Sequence, residues 1–216
     1  MIVPAATALL IIDMQRDFLD PNGYVAQTGV DVGILRKTIE PVRRLLLAAR
    51  AAHIMVIHTR EGHRPDLEDL TAVKRRRAAG AGAPIGSLGP LGRLLVRGEA
   101  GHAIIDELAP LPGETVIDKP GFGAFYATDL ELVLRAAGIL SLVIAGVTTD
   151  ICVHSTLREA VDRGFECTTV ADACAAGEIG VHAAMLACIA GEGGILGRVA
   201  DTDEVINGWS MPGPPA

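Results

Sequence analysis

A chain of 216 residues, half of them apolar, holds enough interior for a single domain. Its formal charge of -7 argues against nucleic acid as the main partner, and no apolar run reaches the roughly 20 residues that span a bilayer. No basic stretch precedes the first apolar run, so a cytoplasmic protein with reduced thiols (Cys152, Cys167, Cys174, Cys188) is expected rather than a disulfide framework.

Residues 7–12 read as a continuous apolar strand ending at Asp13. The run does not alternate, so both of its faces should be covered, as in a parallel sheet. The stretch after it, Met14-Gln-Arg-Asp-Phe-Leu19, is not a simple turn, which favours Asp13 as a site residue. Asp20-Pro-Asn-Gly23 is a turn signal. Leu35, Ile39, Val42, Leu46 and Ala49 recur at helical spacing and predict one long helix over residues 31–52. A second apolar strand at 54–59 completes a β-α-β unit. Residues 62–101 are rich in Gly, Pro and Arg and weakly periodic, which marks a functional or contact-making segment. Within it, Lys74-Arg-Arg-Arg77 lies near the acidic stretch 66–69 and reads as a solvated or interface patch. A short helical turn is expected at 103–108.

The third strand, 115–118, ends at Lys119-Pro120, and a glycine and aromatic loop runs to Tyr126. Thr128 is placed to cap the next helix with Glu131 at the capping-box position, and Gly138 to end it. Residues 142–145 form a fourth buried strand. A tight turn follows at 146–149, then a helix from Asp150 to Arg163, stopped by Gly164. Thr148 or Thr149 is its expected N-cap, and Cys152 lies in its first turn, where helix N–H groups favour a thiolate. A fifth strand (167–171), a helix (179–190), a last strand (195–199) and a turn (203–209) complete one domain over 1–209. Residues 210–216 read as a flexible tail.

Asp13, Lys119 and Cys152 each follow a buried-type strand. In a parallel sheet such strand ends share one edge, so the three can converge. Together they make coherent chemistry: a thiol nucleophile, a carboxylate that takes its proton, and a lysine that balances charge. The competing reading is a buried structural cysteine beside two unrelated residues. His154 stands about 200° from Cys152 around a helix and cannot face it. His58, His63 and Glu61 invite a metal reading, but no third histidine or carboxylate ligand is evident nearby, so the site is read as metal-free. There is no G-x-S-x-G elbow and no Walker sequence.

Leu-Ile-Ile-Asp13-Met-Gln-Arg-Asp-Phe18, Ile-Asp-Lys119-Pro-Gly and Ala-Gly-Val-Thr-Thr-Asp-Ile-Cys152-Val together resemble the isochorismatase-like cysteine hydrolases. That resemblance implies a doubly wound α/β fold with a mostly parallel sheet of about six strands and helices on both faces. It implies a catalytic triad on Asp13, Lys119 and Cys152. A cis Val147–Thr148 peptide and an oxyanion hole from the Thr148 and Cys152 N–H groups are also implied. It further implies no cofactor and a dimeric or tetrameric assembly. Cys152 separates the chain from isochorismatase itself. The metal-binding pattern of nicotinamidases is incomplete at Glu61-Gly-His63.

Residues 58–67 look most like the biuret amidohydrolase branch. That branch usually carries Lys where Phe122 stands and Gln where Glu192 stands. The expected activity is therefore cleavage of a C–N bond in a small planar ureide through a thioester. Phe18, Phe122, Tyr126 and Glu192 form the expected pocket wall. Glu192, an acceptor only, would favour a longer ureide such as triuret over biuret. Ureidoacrylate, an N-carbamoyl amino acid or nicotinamide are alternative substrates. A non-catalytic thiol redox or ligand-binding protein is the alternative of another class.

Overall fold

The computed structural model describes residues 6–210. Six strands form one sheet: β1 (Thr7–Ile12), β2 (Met55–Glu61), β3 (Thr115–Lys119), β4 (Ser141–Val147), β5 (Glu166–Ala175) and β6 (Arg198–Ala200). Their spatial order is β3-β2-β1-β4-β5-β6, and every pair is parallel. The order reverses between β1 and β4, so the carboxyl ends of those two strands open a crevice where doubly wound sheets hold their ligands.

The apolar run of β1 is explained by its central place. All six of its residues are buried, and they alternate between two cores. Leu9 and Ile11 pack with Val42, Leu45 and Leu46 of helix α1 (Ile39–Ala51). Ala8, Leu10 and Ile12 pack on the other face with Leu130, Leu134 and Leu157. Those leucines come from α3 (Leu130–Ala136) and α4 (His154–Asp162). Helices α2 (Ala72–Gly80), α5 (Ile179–Ala190) and α6 (Thr202–Ser210) are the other longer helices. None of the helices among the described residues is long and apolar enough to cross a membrane.

Several local expectations change. The single helix over 31–52 divides into Val32–Arg36 and α1. At the break the Thr38 hydroxyl donates to Leu35 O at 2.7 Å, a local bond that competes with the helical ladder. Helix α2 lies inside the weakly periodic segment. It is short of apolar pattern because Ala78 alone of its residues is buried, and Thr71 starts it by accepting from Lys74 N at 3.2 Å. Thr128 Oγ1 accepts from Leu130 N at 3.3 Å, as a residue capping this helix would, but the capping box with Glu131 does not form. The Thr128 hydroxyl donates to Ala124 O, while Glu131 turns to Arg163. The final turn is the helix α6, and the expected tail at 211–216 lies outside the described residues.

Gly146 is the residue the crevice cannot do without. Its φ is +121°, and a Cβ there would meet Ile12 O at 2.1 Å. Only glycine lets β4 lie this close to β1 and turn toward the thiol. The next peptide, Val147–Thr148, is cis.

Candidate active site

Three strand ends bring the site together. Asp13 leaves β1 with φ +50°. Its N–H donates to Thr59 Oγ1 at 3.2 Å, and that hydroxyl donates back to Asp13 Oδ1 at 2.6 Å. Lys119, from the end of β3, reaches across β2 to place Nζ 2.7 Å from Asp13 Oδ2, and also donates to Gly121 O at 3.0 Å. Cys152 sits in a π-helical turn, Thr149–Val153, between β4 and α4, and is buried. Thr148 holds the N-cap position without a side-chain cap bond. Thr149 Oγ1 instead bonds His182 Nδ1 at 2.8 Å.

The structure adds a residue that the sequence reading passed over. Glu61 ends β2 directly opposite Lys119 in the ladder. Its Oε2 accepts from Cys152 Sγ at 3.4 Å and lies 3.6 Å from Lys119 Nζ. Its Oε1 pairs with Lys74 Nζ at 2.5 Å. Gln15 clamps its backbone at both ends: Glu61 N donates to Gln15 Oε1 at 2.7 Å, and Gln15 Nε2 donates to Glu61 O at 3.0 Å. Glu61 was visible in the sequence only as part of an incomplete metal pattern. Lys74 belongs here and not to a solvated patch: its ammonium also donates to Pro120 O at 2.7 Å and lies 5.0 Å from the Phe122 ring centroid. The signal that could have found it was the scarcity of lysine, with Lys37, Lys74 and Lys119 the full set.

Burial drives the Asp13 carboxyl above its ordinary range, and the Lys119 ammonium pulls it only part of the way back. Burial would raise Glu61 too, but Lys119 and Lys74 outweigh it and hold this carboxyl low. The Lys119 ammonium is itself held on by Asp13, Cys152 and Glu61 against its own burial. Cys152 departs from expectation. Burial pushes its thiol well above the ordinary value despite Lys119, so the resting group is a thiol and not a preformed thiolate. The cluster of two carboxylates and two ammonium groups is neutral with the thiol protonated. It stays neutral when that proton moves to Asp13.

Asp13, Glu61 and Cys152 present donor atoms within 4.8 Å of one another. The Lys119 ammonium already fills the role of cation between the two carboxylates. His58 and His63 are engaged elsewhere, with Glu114 at 3.0 Å and Asp69 at 3.1 Å. His154 accepts from Arg158 Nε at 3.2 Å.

Cys152 opens on a cavity of about 600 Å³ whose wall includes Phe18, Tyr24, Leu95, Phe122, Thr148, Glu61, Lys74 and Arg77. Phe18 and Phe122 thus lie where the sequence placed them. Tyr126 does not: it lines an adjoining cleft of about 350 Å³ that shares Lys74, Arg77 and Phe122 with the main cavity. Glu192 lines neither of these two cavities and is exposed. The reason is the length of α5. Its start, at Glu178 and Val181, lies at the cavity. Its 12 residues carry the chain roughly 18 Å away before Glu192 follows.

A buried thiol, a proton-accepting carboxylate and a fixed lysine at the switch point of a parallel sheet are the equipment of a cysteine hydrolase. Residues 7–203 match the isochorismatase domain, and the chain belongs to the isochorismatase family. The ureidoacrylate amidohydrolase RutB of Methylorubrum extorquens is 36% identical over 179 residues, covering 78% of this chain and 69% of that protein. RutB of Acinetobacter baylyi is 34% identical over 218 residues, covering 95% and 84%. The crystal structure of a cysteine hydrolase from Pseudomonas syringae pv. phaseolicola is similar at a TM-score of 0.81 and 30% identity, with 96% of this chain and 94% of that one covered. N-carbamoylsarcosine amidase from Thermoplasma acidophilum follows the same fold at a TM-score of 0.71 and 26% identity, with 91% and 96% covered.

Proposed function

We propose that the chain is a cysteine-dependent amidohydrolase that cleaves a C–N bond of a small ureide bearing a carboxylate, of the ureidoacrylate type. The observation that carries this reading is the sharing of one cavity by the Cys152 thiol and the cations Lys74 and Arg77. Lys74 is occupied by Glu61 and Pro120. Arg77 is exposed on the cavity wall and free to meet the substrate's acid group, which in ureidoacrylate lies four bonds beyond the ureido carbonyl carbon. Relatives that act on ureidoacrylate support the same class. Biuret, to which the resemblance of residues 58–67 pointed, and triuret, favoured on the strength of Glu192, become second candidates, since the relatives reported above are ureidoacrylate amidohydrolases and Glu192 stands outside the cavity.

Asp13 takes the Sγ proton as the thiolate attacks the carbonyl carbon. A C–S bond forms, and the carbonyl π pair moves to oxygen, where the Thr148 and Cys152 N–H groups receive it. The intermediate collapses, the C–N bond breaks, and the nitrogen leaves with the proton from Asp13. Water, deprotonated by the same carboxylate, then cleaves the thioester and returns the proton to sulfur. Lys119 keeps Asp13 aligned throughout.

The test is product release from ureidoacrylate, N-carbamoylsarcosine and biuret by the purified protein, with Cys152→Ala and Arg77→Ala beside it. The expected result is turnover fastest on ureidoacrylate and lost in Cys152→Ala. Arg77→Ala should raise KM for the two acids and leave biuret unchanged. Turnover that survives in Cys152→Ala, or none on any of the three, overturns the reading.

A further inference from the structure

The mechanism above leaves Glu61 without a task, although its Oε2 accepts a hydrogen bond from the Cys152 thiol at 3.4 Å. We propose that Glu61 is a specificity-determining residue: its Oε2 accepts a hydrogen bond from the nitrogen that stays on the attacked carbonyl, so the site selects ureides over simple amides. This rests on the ureide-hydrolase reading.

The geometry leaves Oε2 little else to do. Oε1 is held by Lys74 at 2.5 Å, and the Gln15 clamp fixes the backbone, so the carboxylate cannot swing away. In the resting site Oε2 accepts from the thiol at 3.4 Å. When that proton passes to Asp13 and sulfur bonds to carbon, Oε2 loses its donor at the moment a substituent of the attacked carbon arrives beside it. An ionised carboxylate accepts and does not donate. Lys74 and Lys119 hold Glu61 in that form.

Ureidoacrylate and biuret meet this requirement whichever C–N bond breaks, because a nitrogen bearing hydrogen remains on the carbonyl. A simple amide that loses ammonia retains carbon there and leaves Oε2 without a hydrogen-bond donor, facing only the Lys119 ammonium at 3.6 Å. Sites built to hydrogen-bond a substrate N–H reject analogues lacking it by large factors. The bond to nitrogen forms only as the thiol gives up its proton, so it assists the reaction more than ground-state binding.

The experiment compares ureidoacrylate with glutaconic acid monoamide, in which CH2 replaces the internal N–H, on wild type, Glu61→Gln, Glu61→Asp and Lys74→Met. Glu61→Gln should lower kcat/KM for ureidoacrylate by about 10²-fold or more and change the monoamide less than about tenfold. The fall should appear mainly in kcat, with Glu61→Asp intermediate. Where the monoamide turns over too slowly, its Ki against ureidoacrylate is measured and should not move. Lys74→Met, which frees Oε1, should shift the ureide preference in the same direction as Glu61→Gln but by less. An equal loss on both compounds in Glu61→Gln overturns the assignment while leaving the hydrolase reading intact. Wild type that hydrolyses the monoamide and not the ureide overturns both.

Discussion

Lys119 Nζ lies 2.7 Å from Asp13 Oδ2, and neither side chain has any solvent exposure. A buried pair of this kind adds little net stability when complete, but removing one partner leaves the other charge stranded. Here Lys119 also faces Glu61 at 3.6 Å. Lys119→Met should therefore cost about 3–5 kcal/mol, read by urea unfolding. The double variant Asp13→Asn/Lys119→Met should recover part of that loss. A single variant as stable as wild type would show that the pair is not what neutralises the cluster.

The thiol gives a second prediction. Burial holds Cys152 protonated at neutral pH, and Lys119 opposes this. Alkylation by iodoacetamide should thus be slow at pH 7 and accelerate as pH rises. It should be slower still in Lys119→Met, where the thiol loses the cation that favours its ionised form. Slow alkylation here marks a thiol that Asp13 must activate within the reaction, and so does not argue for an inert cysteine. Mass spectrometry of wild type quenched during turnover should find an acyl adduct on Cys152. Cys152→Ala should fold normally and lose turnover by at least about 10³-fold.

Acid stability follows from Glu114. Its carboxylate pairs with Arg50 at 2.7 and 2.9 Å and accepts from Leu111 N and His58. Burial works against ionisation, but these partners win and bring the carboxyl from 4.5 down to about 2. A depressed carboxyl contributes stability above its unfolded value and loses it as pH falls through the folded one. Wild type should exceed Glu114→Gln in stability at neutral pH, and the gap should close between about pH 4.5 and pH 2. Thermal unfolding of both proteins across that window checks it. A gap that stays constant with pH would remove Glu114 as the source.

Gln15→Ala tests the clamp on Glu61. It leaves the buried Glu61 N–H and the Glu61 and His102 carbonyls each with one partner fewer, each omission costing about 1–3 kcal/mol. Turnover should fall with kcat, since Oε2 then wanders from sulfur. A variant that loses stability but keeps kcat would show that the clamp serves folding alone.

Gly146→Ala should be the most damaging change of a single methyl group. The left-handed φ and the contact of 2.1 Å with Ile12 O leave no room for it, because the opposing atom is backbone in the central strand. Poor recovery of folded protein, or a sharp drop in Tm, is the expected outcome. Normal stability would mean that β1 and β4 can separate without cost.

The elements that positioned the triad were legible because each obeys a local rule. Uninterrupted apolar runs such as residues 7–12 belong in parallel strands buried on both faces, and parallel strands share a carboxyl edge. That alone was enough to gather Asp13, Lys119 and Cys152. Gly138 and Gly164 ended their helices with φ of +67° and +78°, as expected of C′ residues. Other features had no local signature. Helix α2 buries Ala78 alone, so its pattern carried no amphipathic period. Lys74 looked solvated because its neighbours in sequence are, while its true partners, Glu61 and Pro120, lie 13 and 46 residues away. Glu192 seemed a pocket residue until the length of α5 put it at the wrong end of a helix. The protonation of Cys152 depended on the same distinction. By itself the sequence determined the parallel strands and the three strand-end groups, because those follow from burial patterns along the chain. Only the tertiary structure decided which further charges face the thiol and which form each holds, because desolvation and Coulomb energies depend on distances between strands that no spacing in the sequence encodes.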